Sequence, residues 1–215
     1  MIMLARTAKL RSSAAPAVAS WYNSLTFRGS ITDNSDNFSY SFTPSIGAAN
    51  ADRYVIIGIA VQNNKSVNTA TLGGVDVKSG QSNYMFNGAV PTGTTVNFSI
   101  AFTDFVGGCI FGCWTVNMLP GFFKANQLQL TAGNTQTVII QENGFGVWLS
   151  ENNITTDVVF SIDQSFVVDG ELFAASALFN AAFAHREVTT AFNGDVTAGW
   201  TVGTPQQSFT SFAPP

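Results

Sequence analysis

Charged side chains are scarce in this chain, with Asp, Glu, Lys and Arg together making up 10% of its 215 residues where about a quarter is usual. So few charges give weak long-range steering and little repulsion between copies, and the polar exterior has to be built from Asn, Gln, Ser and Thr. A net charge of -4 and a pI of 4.7 argue against a general nucleic-acid binder, whose affinity would come from neutralised phosphates. Histidine occurs once, at His185, and cysteine twice, at Cys109 and Cys113, too few nitrogen and sulfur ligands for a zinc site. Every apolar run is shorter than the ~20 residues of a membrane-crossing helix, so no membrane partner is expected. The nucleophile-elbow G-x-S-x-G, the metalloprotease H-E-x-x-H and the phosphate loop are all missing. No internal repeat stands out at a fixed period, which argues against solenoids and propellers.

What the chain does have is apolar and aromatic material: 46% hydrophobic residues, nineteen of them Phe. That is enough to fill a core without disulfides or metal, and the length suits one large β-sandwich or two small ones. Between Arg53 and Pro120 come RYVIIGIAVQN, TATLGGVDV, TTVNFSIAF and CIFGCWTVNML. These β-branched and aromatic runs, broken by Gly, Asn and Asp, predict an all-β fold, an antiparallel sandwich of jelly-roll or meander type. One β domain is expected over 21–215.

The strands can be placed in outline. Trp21 to Arg28 is expected to open the first, and Phe38, Tyr40 and Phe42 alternate with polar residues as in a strand with one wet face. Arg53 to Asn63 is apolar on both parities, which predicts a central strand covered on both sides, with Gly58 marking a bulge or a close backbone approach. Asn63 to Lys65 reads as a turn. Thr69 to Val77 reads as a hairpin about Gly73-Gly74, followed by a turn at Pro91 to Thr94, an alternating strand at Val96 to Phe102 and an apolar one at Cys109 to Leu119. Further strands are expected at Gln127–Leu130, Thr135–Glu142, Phe145–Leu149, Ile154–Ile162, Phe166–Val168, Val188–Phe192, Ala198–Val202 and Ser208–Phe212. Glu171 to His185 fits a helix by its Ala and Leu content, but alternation of Phe173, Phe179 and Phe183 with small residues favours a strand.

Residues 1–20 differ from the rest. Arg6, Lys9 and Arg11 lie here, Arg28 follows, and no acid appears before Asp33. Charges interrupt the segment too often for a secretory h-region, and although its Arg, Ser and Ala content also fits a transit peptide, it reads as a flexible basic arm able to order against an acidic neighbour in an assembly.

Residue chemistry yields candidates that each have a structural explanation. Cys109 and Cys113 lie about 13 Å apart along a strand, too far for a disulfide, and read as buried thiols. His185, beside Arg186 and Glu187, is the sole imidazole a triad could use. Glu142, Glu151, Asp157, Asp163, Asp169 and Glu171 include possible pairs for glycoside cleavage, but their neighbours make them solvated turn carboxylates. Asp33 to Asn37 offers calcium-type oxygens without the Gly and distal Glu of an EF-hand loop, and reads as a turn. Trp114 and Trp148 fall inside apolar strands. Trp21 and Trp200, with Tyr22, Tyr40, Tyr54 and Tyr84, are candidates for a sugar-stacking platform. No catalytic, cofactor-binding or metal residue is assigned, and no cofactor is expected.

The stretch Arg53 to Val61 followed by Thr69-Ala-Thr-Leu-Gly-Gly-Val resembles β-sandwich structural proteins of tailed bacteriophages and prophages, in which an R-x-V-V-x-G-V strand precedes a T-x-x-x-G-G hairpin. The Ala- and Phe-rich run at Ala174 to Phe183 is similar to a small-residue strand in the same proteins. The resemblance implies a non-enzymatic virion component, capsid-decorating or tail-associated, with copies of itself and other virion proteins as partners. The rival expectation is a carbohydrate-binding sandwich that recognises a host surface glycan.

Overall fold

A computed structural model describes residues 21–23, 25–62, 65–78, 84–174 and 179–215 of the chain. Within them every regular element is a strand and every pairing is antiparallel. The basic arm, 1–20, and the expected turn at Asn63-Asn64 lie outside the described residues.

The first eight strands are β1 (Thr26–Asp33), β2 (Asn37–Phe42), β3 (Arg53–Val61), β4 (Val67–Leu72), β5 (Val75–Asp76), β6 (Met85–Ala89), β7 (Phe98–Val106) and β8 (Cys109–Asn117). They form two four-stranded sheets of order β1-β8-β3-β6 and β2-β7-β4-β5. This wrapping, with the chain crossing repeatedly between facing sheets, is a jelly roll. β9 (Phe123–Ala132), β10 (Thr135–Ile140), β11 (Phe145–Asn152), β12 (Phe160–Ile162), β13 (Val167–Ala174), β14 (Phe179–Glu187), β15 (Phe192–Trp200) and β16 (Gln206–Ala213) make a second. Its sheets run β13-β14-β11-β16-β9 and β10-β15-β12. Adding eight to each label of the first half reproduces the second, except that β13 has moved from the edge beside β12 to the edge beside β14. A structural repeat is therefore present where the sequence shows none, because only strand order is repeated and not residue identity.

The four sheets stack as layers, with β1-β8-β3-β6 and β13-β14-β11-β16-β9 meeting in the middle. Parity explains how β8 serves two layers at once. Phe111 packs on Phe42 and Phe98 of the outer sheet, while Trp114, on the other face, meets Phe183 of β14. These middle layers approach closely at Gly58 and Gly112, which lie opposite each other across the β3–β8 ladder. A Cβ at Gly112 would stand 2.5 Å from the Phe183 ring, and one at Gly58 3.2 Å from it. Gly58 therefore marks a close approach with no break in the ladder: the paired glycines make a seat for a fully buried Phe worth about 2–3 kcal/mol of apolar burial. Trp21 adds a second clamp between the halves, stacking on Phe145 and donating from Nε1 to the Asn143 carbonyl at 2.6 Å.

Arg53, the first residue of β3, is 2% exposed and donates to the carbonyls of Gly47, Ala48, Val90, Thr92 and Gly93 at 2.6–2.9 Å. Its guanidinium ties the segment before β3 to the turn after β6. The Gly73-Gly74 turn closes the β4–β5 hairpin with φ of +59° and +83°, a conformation that suits glycine.

Several boundaries depart from expectation. The first strand starts at Thr26, and Trp21 to Asn23 precedes it with one isolated bridge, Tyr22 to Met118. Glu171 to His185 is divided between β13 and β14, which pair on either side of residues outside the described set. Ile154 to Val159 is irregular: the Asn180 amide donates to the carbonyls of Ile154 and Thr156 and accepts from Val158, replacing a ladder with side-chain bonds. Val188 to Ala191 links β14 to β15.

Candidate functional site

Most of the candidate chemistry is enclosed between sheets. Cys109 and Cys113 are free, fully buried and on the face of β8 that carries Phe111. Burial raises both thiols, that of Cys113 to about 12 and that of Cys109 well above its ordinary value, which makes them poor nucleophiles.

His185 projects from β14 towards the central interface. Its Nδ1 lies 2.8 Å from both oxygens of Asp169, whose Oδ2 also accepts from Trp114 Nε1 at 2.7 Å. A register shift between Val168 and Gly170 on β13 aims the Asp169 carboxylate inward. Burial opposes charge on the imidazole, but Asp169 and then Glu187 outweigh it, and the net shift of His185 is upward. The cluster works as a polar rivet between the two jelly rolls. Its Trp114 member belongs to the first and its acid and imidazole to the second.

Glu151 is the other buried acid, and here the turn reading fails: it shares a face of β11 with Phe145, Val147 and Leu149 and is 1% exposed. Its Oε2 accepts from the Val61 backbone N–H at 3.2 Å, whereas Oε1 has no partner. Desolvation pushes its pKa from 4.5 to about 8, against the pull of the Val61 bond. Ser208 and Thr210 are buried on adjacent β16 with their hydroxyls likewise unpartnered, so the interface has a polar seam in an otherwise apolar layer.

Asp169 is likewise buried where a solvated turn residue was expected, with a side chain 6% exposed. The two buried acids do not form a glycosidase pair. His185, the partner of Asp169, lies opposite Val147, four residues before Glu151, a separation of about 13 Å along the sheet, against the roughly 5–10 Å such chemistry needs. Glu142, Asp157 and Asp163 are exposed. The Asp163 carboxylate accepts from Thr197 N–H at 2.9 Å, and Glu171 accepts from Phe160 N–H at 3.0 Å. Burial shifts Glu171 upward despite that bond. Asp33 forms a local turn, accepting from Ser35 N–H and Oγ at 2.9 and 2.6 Å. Among the described residues no group of three potential ligands could hold a metal.

The sugar-stacking platform is not formed. Trp21 and Trp200 are 5% and 7% exposed, and the Trp200 Nε1 donates to Ser150 Oγ at 3.1 Å inside the second core. Trp114 and Trp148 are fully buried, Tyr40 and Tyr84 are buried, and Tyr54 is half-buried with its hydroxyl donating to Asn87 at 2.8 Å. Tyr22 contributes, with Asn23, Asp52, Asn117 and Leu119, to a surface cleft of about 260 Å³.

What faces water is lightly charged, with exposed aliphatic side chains such as Val75, Val159 and Val202 and one exposed aromatic pair. Phe38 on β2 and Phe105 on β7 are 43% and 51% exposed, and their rings touch at a centroid distance of 3.6 Å. Sequence reasoning placed Phe38 in a strand but had no signal that its neighbour across the sheet is also aromatic and exposed.

No protein-family model, curated protein or solved structure matches the chain.

Proposed function

We propose that this chain is a non-enzymatic structural subunit of a bacteriophage virion, capsid-decorating or tail-associated, that acts by packing against copies of itself and other virion proteins. The observation that carries the reading is the tandem jelly roll with a charge-poor exterior. Jelly rolls recur in capsid and lectin domains, and of those two uses the lectin one loses its tryptophan platform, since all four tryptophans are buried. Low charge favours close contact between subunits, and an exposed aromatic pair is the composition of an interface core. The surface chemistry and the phage-like Arg53 and Gly73-Gly74 segments support the assignment together with the fold. Mass spectrometry of particles purified from the encoding genome tests it. The chain is expected in washed particles at many copies each, and its confinement to the soluble fraction of infected cells would refute the reading.

A further inference from the structure

Phe38 and Phe105 lie at the end of the first jelly roll where β1 and β7 finish and β2 begins, inside an acidic rim. Asp33 ends β1 opposite Cys109, Asp36 leads into β2, and Asp104 precedes Phe105. The Tyr40 hydroxyl lies 2.7 Å from both the Ser35 and the Val106 carbonyls, and Asp33 accepts from Ser35 N–H at 2.9 Å, so the turn that carries Asp33 and Asp36 is held beside the end of β7 where Phe105 lies. The cation paired here is Lys65, 2.7 Å from Asp104. The surface thus combines exposed aromatic area with an excess of negative charge.

The chain carries its own complement. Residues 1–11, MIMLARTAKLR, set five apolar side chains, four of them large, before Arg6, Lys9 and Arg11 and contain no acid. The arm joins the fold at Trp21, beside Asn117 and Met118 at the far end of β8 from Cys109. That end is about 26 Å from the aromatic pair along the strand, while twenty residues extend to about 66 Å. An arm leaving one end with its matching surface at the other fits a head-to-tail contact between copies.

We propose that residues 1–11 of one copy dock on the Phe38–Phe105 surface of a second, with Met1 to Leu4 over the rings and the three cations against Asp33, Asp36 and Asp104. The inference rests on the structural reading above and deepens it by naming the contact between copies. The contact is heterologous, so it builds rings or open chains and not an isolated dimer. Its electrostatic part weakens with salt.

Sedimentation velocity on the full chain over a range of concentrations tests this, with Asp36→Lys/Asp104→Lys and Arg6→Glu/Lys9→Glu as separate double variants at exposed or arm positions. Self-association is expected, weakened about tenfold by either reversal and regained when the two are combined. Phe38→Ser/Phe105→Ser should abolish it, with circular dichroism unchanged. A chain monomeric at every concentration, association indifferent to the reversals, or reversals with no mutual rescue would each overturn the proposal. A fluorescent peptide of residues 1–20 that binds the full chain equally well with and without Phe105→Ser would do the same. Failure here leaves a virion subunit without arm exchange. Absence from particles with the contact intact would strike the functional reading instead.

Discussion

Replacing Glu151 with Gln should remove a pH dependence of stability that the interface between the jelly rolls imposes. The native carboxyl is 1% exposed, has one bond, from Val61, and titrates at about 8 instead of 4.5 because of desolvation. Between those two values the folded chain holds a proton that the unfolded chain has released. Stability therefore falls as pH rises across that window, by up to about 1.4 kcal/mol per pH unit, then levels off above the folded pKa. The full span is on the order of 5 kcal/mol as an upper bound, reduced by relaxation and water entry. His185 contributes a slope of the same sign: its folded pKa is raised, so its stabilisation is complete below the ordinary 6.5 and is lost as pH climbs through the folded value. The His185 slope is present in both proteins, so the difference between wild type and Glu151→Gln isolates the carboxyl. Urea unfolding followed by tryptophan fluorescence, from pH 5 to 8.5, suits a protein whose four tryptophans are all buried. The variant is expected to be less stable than wild type by about 1 kcal/mol at pH 5 and more stable by about 2–3 kcal/mol at pH 8.5. A difference independent of pH would mean that Glu151 is ionised throughout and that the seam is wet, and would refute the reasoning.

Other substitutions probe the packing. Gly112→Ala pushes a methyl into the Phe183 ring at 2.5 Å and should cost about 1–3 kcal/mol, read as a fall in Tm of roughly 2–12 °C at this size. Arg53→Met removes the donor from five carbonyls and should cost about 3 kcal/mol or more in urea unfolding, with faster amide exchange first at Arg53 and Val90. Gln164 and Ser165 hold φ of +57° and +60° in the turn before β13, closed by Phe166 N–H on Asp163. Ser165→Gly should therefore raise stability by about 0.5–1 kcal/mol in the same assay, and a loss would contradict the strain reading.

The strands that pack on both faces were the most legible. Arg53 to Val61 is apolar on both parities and is buried along its length, and the alternation of Phe98, Ile100 and Phe102 marks the buried face of β7. Met85 to Ala89 escaped notice because YMFNGAV is short and carries Asn and Gly, although β6 completes the inner sheet. Val188 to Phe192 looked β-like by composition, yet composition does not say where a ladder ends. Burial of Glu151 was hidden by the polar run SENN, which reads as a turn. The recoverable signal was parity, since Glu151 falls in phase with Phe145, Val147 and Leu149. Asp169 offered no such signal, because a register shift and not strand phase turns it inward. The tandem arrangement and the Phe38–Phe105 contact depend on which strands pair, a long-range property that local patterning does not encode.

Cryo-EM of purified particles tests the central claim most directly. The account expects repeated copies of a subunit with four stacked antiparallel layers, contacting neighbours through surfaces poor in charge. Particles whose reconstructed density and protein content hold no such subunit would contradict it.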